Sequence, residues 1–277
     1  MNLKGKLEIV CQTDVGQVRD HNEDFISYDE PQGIAVLADG MGGLNAGEVA
    51  SSMTVHLLMD AFAAYRQGDT DLLENLNEVD AESPECMVLV EKAVSRANDA
   101  VFHVSQTQPQ CRGMGTTVIA GLFHDNKFVV GHIGDSRVYR FRAGKLEQIT
   151  KDHSYVQELI DKGLFTPQEA RESNQKNVVT RALGIAPKVE VEVHEHKTSV
   201  GDIYLMCSDG LTDMVVDADI ETTLNELGRN LSEAASHLIN VANASGGKDN
   251  ISVILARVLK PFPAEGGLME RIVNWFE

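Results

Sequence analysis

The sequence is poor in cysteine and in aromatic residues. Four of its 277 residues are cysteine, and phenylalanine, tyrosine and tryptophan together make up 5%. The cysteines lie far apart and form no C-x-x-C pair; they are Cys11, Cys86, Cys111 and Cys207. This spacing argues against a disulfide framework and against a cysteine-based zinc site. We therefore expect free thiols in a reducing compartment.

Long apolar segments are also absent. No run of 18 apolar residues occurs anywhere, so the sequence contains no candidate transmembrane helix. The first residues, MNLKGKLEIVCQTD, hold no apolar stretch long enough for a signal peptide. We therefore predict a cytoplasmic protein with no membrane span, and we expect a monomer.

Positive charge is scarce. The chain has 24 lysine and arginine residues against 42 aspartate and glutamate residues, which gives a net charge of −18. Nucleic acids and anionic membranes attract clustered lysine and arginine, and no such cluster occurs, so neither is expected as a partner. The surplus of carboxylates is compatible with a solvated acidic surface or with the binding of divalent cations.

Common nucleotide and calcium motifs are missing as well. The glycine-rich segment VLADGMGG (36–43) does not match G-x-G-x-x-G, and no P-loop or twelve-residue calcium loop occurs. Nucleotide binding therefore has little support. For Asp39, at the end of the apolar run, a tight turn, a nucleotide-binding loop and a metal site remain open.

Apolar runs of strand length, rich in β-branched residues, recur along the chain. They cover residues 33–38, 116–123, 127–133, 137–141, 202–207 and 251–258. The connections between the three runs in 116–141 are too short for a crossover helix, so we predict that these strands are antiparallel neighbours. Helical patterns lie between groups of strands instead of alternating with each strand. This order indicates an α+β fold with antiparallel sheet.

Apolar residues at spacings of three and four predict helices over 46–64 and 85–105. The apolar stripe contains Val49, Met53 and Leu57 in the first helix, and Met87, Val90, Val94, Ala97 and Val101 in the second. Capping boxes predict further helix starts at Thr166 and Asn230.

The pattern changes near the C-terminus. We predict one domain over residues 1–258, followed by a linker and a short amphipathic tail over 259–277. The tail sequence GLMERIVNWFE suits either an end helix packed on its own domain or a docking element for a partner.

Acidic residues recur beside glycine, serine or asparagine where apolar runs begin or end. The instances are NED (22–24), ADG (38–40), GDS (134–136), SDG (208–210) and KDN (248–250). One such site is typical of a turn, but several in one domain repel each other unless a cation holds them together. Oxygen ligands favour magnesium, manganese or calcium. Arg19, four residues before Glu23, is either a salt-bridge partner or a phosphate ligand.

Eight segments, in one order, resemble the metal-dependent serine/threonine protein phosphatases of the type 2C class, in their bacterial form. They are TDVGQVRDHNED (13–24), VLADGMGGLNAGEVAS (36–51), GMGTTVIAG (113–121), VGHIGDSRVYRF (130–141), ITKDHSYVQELIDKG (149–163), NVVTRALG (177–184), LMCSDGLTD (205–213) and GGKDNISVIL (246–255). The resemblance implies two central antiparallel β-sheets packed as a sandwich with helices outside. It also implies hydrolysis of phosphoserine and phosphothreonine by in-line attack of a water or hydroxide that bridges two Mn²⁺ or Mg²⁺ ions.

The resemblance assigns roles residue by residue. The metal-site residues it implies are Glu23, Asp24, Asp39, Gly40, Asp135, Asp209 and Asp249. Asp39 would bridge the two ions, the Gly40 carbonyl would ligate one of them, and Asp209 and Asp249 would complete the pair. Glu23 would bind through water, and Asp24 would support the network.

Arg19 would hold the substrate phosphate, and with Asp39, Asp209 and Asp249 it makes up the implied catalytic set. Asp135, together with Asp209, matches the site of a third, weaker ion in bacterial members. Residues 160–180 correspond to a flap that influences substrate choice.

Two positions depart from other members of this class. Met41 stands where many eukaryotic members have a histidine, as is usual for the bacterial branch, so a side-chain acid is excluded there and a metal-bound water would protonate the leaving group. The flap reads EARESNQKN (169–177) where a His-Pro pair is common. The implied partners are phosphorylated proteins, the targets of a eukaryotic-like Ser/Thr kinase. The alternative is a pseudophosphatase that binds phosphoproteins. Such a protein would normally lack one of the metal-site acids Asp39, Asp209 or Asp249, and this sequence keeps all three.

Overall fold

The computed structural model of the chain describes residues 2–43, 46–74 and 83–264. The strands are β1 (Leu7–Asp14), β2 (Asp24–Asp29), β3 (Ile34–Met41), β4 (Gly115–Thr116), β5 (Val118–His124), β6 (Lys127–Ile133), β7 (Arg137–Arg142), β8 (Lys145–Gln148), β9 (Glu192–Lys197), β10 (Ile203–Cys207) and β11 (Ile251–Val258). The α-helices are α1 (Ala46–Arg66), α2 (Glu85–Thr107), α3 (Tyr155–Asp161), α4 (Pro167–Glu172), α5 (Asp209–Thr212), α6 (Asp217–Leu227) and α7 (Leu231–Ala244). Two short 3₁₀ turns lie at Asp71–Leu73 and Pro109–Cys111.

The strands form two antiparallel sheets. One sheet has the order β1-β11-β10-β7-β8, and the other has the order β2-β3-β5-β6-β9 with β4 paired to β3. Helices α1 and α2 pack on the outer face of the second sheet, and α6 and α7 pack on the outer face of the first. The predicted α+β sandwich with flanking helices is confirmed.

The inner faces of the two sheets meet in an aromatic core. The rings of Phe123 and Phe128 lie 4.5 Å apart, and that of Phe128 lies 4.6 Å from Tyr204 on the opposite sheet. Because helices cover the outer faces as well, β3 and β11 are buried on both sides. This double burial explains why their sequences are nearly continuous apolar runs instead of alternating ones.

The prediction that the three strands in 116–141 are neighbours in one sheet was wrong for the last of them. β5 and β6 pair with each other, but β7 pairs with β8 and β10 in the other sheet. A connection too short for a helix is still long enough to pass between packed sheets about 10 Å apart. Gly134, with φ +107°, begins this crossing, which places Asp135 where the chain changes sheets.

The helices begin and end close to their predicted limits, and the capping box at Thr166 is present. Its hydroxyl accepts from the Glu169 amide at 3.2 Å, and its own amide donates to the Glu169 carboxylate at 2.7 Å. The predicted face of α1 was wrong at two of its three residues, however; Met53 packs against the core. Val49 and Leu57 are 42% and 38% exposed, and the helix instead buries a face rich in small residues, formed by Ala46, Gly47, Ala50, Ser51, Thr54, Val55, Leu58 and Phe62.

The chain stays packed on the domain just beyond β11. Phe262 is buried in the core between the sheets, and its amide donates to the Asn126 side chain at 2.6 Å. The last strand therefore ends at residue 258, but the chain continues to pack on the domain beyond it. The predicted amphipathic tail lies outside the described residues. Among the described helices, none combines the length and apolar character that a bilayer crossing requires.

Candidate metal centre

The predicted metal-site acids come from different elements and converge at one end of the sandwich. Asp39 lies on β3 opposite Asp24 on β2, Asp209 begins α5 directly after β10, and Asp249 precedes β11. Asp135 lies in the crossing from β6 to β7. Their mutual repulsion is evident at Asp39, where burial and the charges of the other four aspartates raise the pKa well above its usual value.

Asp39 is fixed by the strand beside it. Its carbonyl accepts from the Thr117 amide and from the Thr116 hydroxyl, both at 2.8 Å, and its amide donates to the Thr117 hydroxyl at 3.1 Å. These contacts hold the backbone on both sides of the carboxylate, so the side chain projects from a rigid strand end.

Gly40 is required by close backbone packing. A Cβ at this position would lie 2.2 Å from the Gly47 carbonyl oxygen and 2.6 Å from that of Glu23. Its amide donates to the Glu23 carbonyl at 3.1 Å. Because Gly40 has no side chain, β3, the start of α1 and the Glu23 segment can meet next to the acidic cluster.

Glu23 and Asp24 are held by residues at the end of the opposite sheet and by α1. The Glu23 amide donates to the Asn250 side chain at 2.8 Å, and the Ser51 hydroxyl donates to the Glu23 carbonyl at 2.5 Å. Asp24 accepts from the Ser208 hydroxyl at 2.8 Å through Oδ2. Its Oδ1 is buried without a hydrogen-bond partner among the described residues.

The carboxylates carry more negative charge than the nearby residues neutralise. Burial raises the pKa of Asp24 and of Asp135 to about 6, and burial with the charges of Asp135 and Asp249 raises the pKa of Asp209 strongly. Asp39 and Asp209 remain half-buried, so they are also open to solvent. A group of oxygen donors that is accessible, crowded and short of positive charge fits a hard divalent cation.

Among the residues that the structure describes, Arg19 is the cation that forms an ion pair with this cluster. Its Nη2 donates to Asp249 Oδ2 at 2.6 Å, and this bond raises the pKa of Arg19, so the guanidinium stays charged. The Arg19 side chain is 52% exposed. It therefore lies at the mouth of the cluster, with donors available to an incoming anion.

All of the predicted site residues thus lie together. The sequence did not reveal how Ser208, Gly47 and Ser51 support them, because these contacts join positions far apart in the chain. The Asn250 side chain also donates to the Val15 and His21 carbonyls, both at 2.9 Å.

A second group with metal-ligand chemistry is formed by His132 on β6, Glu192 on β9 and His153 shortly before α3. Ring nitrogens of His132 and His153 and an oxygen of Glu192 lie within 4.8 Å of one another. His153 Nδ1 accepts from the Gly134 amide at 3.1 Å, which fixes its proton on Nε2, 3.0 Å from Glu192. This tautomer leaves His153 no free lone pair for a metal, so its contacts are those of a structural histidine.

Comparison with known proteins identifies the family of the chain. A family model described as protein phosphatase 2C matches residues 13–255. The chain belongs to the protein phosphatase 2C family. The predictions of this family and of its enzyme class, serine/threonine phosphatase, are confirmed.

Several relatives of this phosphatase are informative. It is 38% identical over 247 residues to the serine/threonine phosphatase stp of Listeria monocytogenes, covering 88% of this chain and 93% of the relative. The structure of Mycobacterium tuberculosis PstP/Ppp superposes with a TM-score of 0.79 at 37% identity, over 91% of this chain and 99% of that one. A PstP catalytic domain in complex with two manganese ions has a TM-score of 0.77 at 36% identity, over 92% and 99%.

Proposed function

We propose that this phosphatase removes phosphate from phosphoserine and phosphothreonine in proteins with two divalent cations, Mn²⁺ or Mg²⁺, held by the acidic cluster. The observation that carries the proposal is the convergence of carboxylates whose charge the surrounding protein does not neutralise. The two manganese ions in the related PstP catalytic domain support it. The substrates we expect are targets of a eukaryotic-like Ser/Thr kinase in the cytoplasm.

The proposed ligands are Asp39, the Gly40 carbonyl, Asp209 and Asp249, with Glu23 and Asp24 as supporting groups. Asp24 fits a supporting role because it is buried and fixed by Ser208, whereas Asp39 and Asp209 are open to solvent. We also propose that Asp135 and Asp209 hold a third, weaker ion.

When bound, the cations would supply positive charge for the phosphate oxygens and acidify a water for in-line attack. Arg19 would bind the substrate phosphate at the mouth of the cluster, since its five donors allow one contact to Asp249 and others to phosphate oxygens. Met41 has no proton to donate, so the leaving serine or threonine oxygen would take its proton from water.

The direct test is hydrolysis of a phosphothreonine peptide by the purified full chain. We expect release of inorganic phosphate with Mn²⁺ present and loss of release after chelation, with recovery when Mn²⁺ is restored. Binding of the phosphopeptide without hydrolysis under any metal condition would favour the pseudophosphatase alternative.

Manganese affinity is expected to fall by about tenfold or more between pH 8 and pH 6, because the ion must displace protons from carboxyls whose pKa values are raised. Ordinary aspartates, with a pKa near 3.8, would stay ionised throughout this range. Calorimetric titrations in buffers of different ionisation enthalpy would count the protons released at pH 7. An affinity independent of pH, with no proton release, would contradict the proposed site.

Replacement of Arg19 by alanine is expected to raise KM for p-nitrophenyl phosphate about tenfold or more and to change kcat less. The lost interaction is a charge-assisted contact that substrate and transition state share. Arg19→Lys keeps the charge but loses the paired donors, so its KM should be intermediate. A larger fall in kcat than rise in KM would instead assign Arg19 to transition-state stabilisation.

A further inference from the structure

A cleft of about 460 Å³ opens beside the acidic cluster. Asp135 and Asp209 lie in its lining, so it is continuous with the proposed metal centre. One wall is formed by α3, α4 and residues 176–177, and the other by residues 212–217, from the end of α5 to the start of α6. Its volume lies in the range of ligand pockets, and a single phosphate group does not fill it.

Apolar side chains line both walls. They include Val156, Ile160, Ala170, Met214, Val215 and Val216. Val156, Ala170 and Val215 are buried, whereas Val216 is 46% exposed. The apolar lining therefore extends from the interior of the cleft to solvent, where an incoming chain would first meet it.

The charged residues of the lining largely neutralise one another. Lys176 Nζ lies 2.7 Å from Asp213 Oδ2, Arg137 Nη2 lies 2.7 Å from Asp152 Oδ2, and Arg171 Nη2 lies 3.8 Å from Asp217 Oδ1. Each cation of the lining thus faces an acid. Only Asp135 and Asp209 remain, and both belong to the proposed metal centre. Away from the metal centre, an acidic or basic side chain entering this cleft would find its opposite charges already paired.

We propose that the cleft binds the segment of the phosphoprotein next to the phosphorylated residue and accepts an apolar side chain from it. The inference rests on the proposed function, because the phosphate must sit at the acidic cluster for its neighbours to reach the cleft. A leucine side chain buried there would lower KM about tenfold or more relative to alanine.

The test is a set of phosphothreonine peptides that differ at one flanking position, scanned over the four residues on either side. Leucine, alanine, lysine and aspartate are compared at each position, with p-nitrophenyl phosphate as a substrate too small to use the cleft. We expect leucine to raise kcat/KM about tenfold over alanine at one or more positions, mainly through KM. Lysine and aspartate should not exceed alanine there.

Two variants connect this preference to the cleft. Ala170→Leu fills it from within, and Val216→Asp places a charge at its rim. Because Val216 is the N-cap of α6, aspartate there should be well tolerated in folding. Both should bring the leucine-to-alanine ratio close to one. Ala218→Leu, an exposed position on α6 outside the lining, should preserve the ratio.

The outcomes separate the two proposals. If no phosphothreonine peptide is hydrolysed, the proposed function fails. If all peptides are hydrolysed at rates within twofold of one another, or if the leucine preference survives both cleft variants, the proposed function stands and the subsite is overturned.

Discussion

Replacing Asp209 with asparagine is expected to lower kcat/KM for a phosphothreonine peptide by about 10³-fold, equivalent to about 4 kcal/mol. Asp209 begins α5 beside Asp39, Asp135 and Asp249, and it is the acid proposed to serve both the catalytic pair and the third ion. Asparagine keeps the shape of the side chain but removes the negative charge that would hold the cations.

The same change is expected to stabilise the metal-free protein. Burial and the charges of Asp135 and Asp249 raise the pKa of Asp209, so its ionised form at pH 7 to 8 is more costly in the folded chain than in the unfolded one. Removing that charge should raise the free energy of unfolding in chelator by about 1–3 kcal/mol. For a domain of this size the unfolding temperature would rise by several degrees.

Peptide hydrolysis with Mn²⁺ and thermal unfolding in chelator measure the two effects on the same preparation. Asp219→Asn on α6, an exposed position, is the matched control and should change neither. If the Asp209→Asn variant kept an activity within tenfold of the unmodified chain, Asp209 would not be a ligand of the metal centre. A lower unfolding temperature in chelator would show that its carboxylate stabilises the fold instead of straining it.

The acidic cluster was predictable because each member leaves a local mark. An acid next to glycine, serine or asparagine, where an apolar run begins or ends, appears at Asp39, Asp135, Asp209 and Asp249. The resemblance to one phosphatase class then supplied the roles. Local pattern could not show which sheet each strand joins, and β7 was misplaced because a short connection permits both a hairpin and a change of sheet.

The face of α1 was missed for a different reason. Apolar periodicity selects large side chains such as Val49 and Leu57, but α1 approaches β3 closely at Gly47 and buries small residues such as Ala50. Close approach of backbones is what this interface requires, and small residues give no apolar signal. The charge-paired cleft was equally hidden, since its ion pairs join residues up to 46 positions apart, as between Arg171 and Asp217.

Gly40→Ala is expected to destabilise the folded chain by about 3 kcal/mol or more and to abolish activity. The new methyl group would lie 2.2 Å from the Gly47 carbonyl oxygen and 2.5 Å from its carbonyl carbon. Both neighbours are backbone atoms of α1, so no rotamer change relieves the clash. Either β3 or the start of α1 must shift, and the Asp39 carboxylate would move with β3.

Gly43→Ala is the matched control in the same segment, because a Cβ at Gly43 meets no atom of the described residues within 4 Å. Chemical denaturation in chelator would give the stability difference without any contribution from metal binding, and hydrolysis of p-nitrophenyl phosphate with Mn²⁺ would report the site. We expect Gly43→Ala to retain the stability and activity of the unmodified chain. If Gly40→Ala retained them too, the close contact between β3 and α1 would not be what holds Asp39 in place.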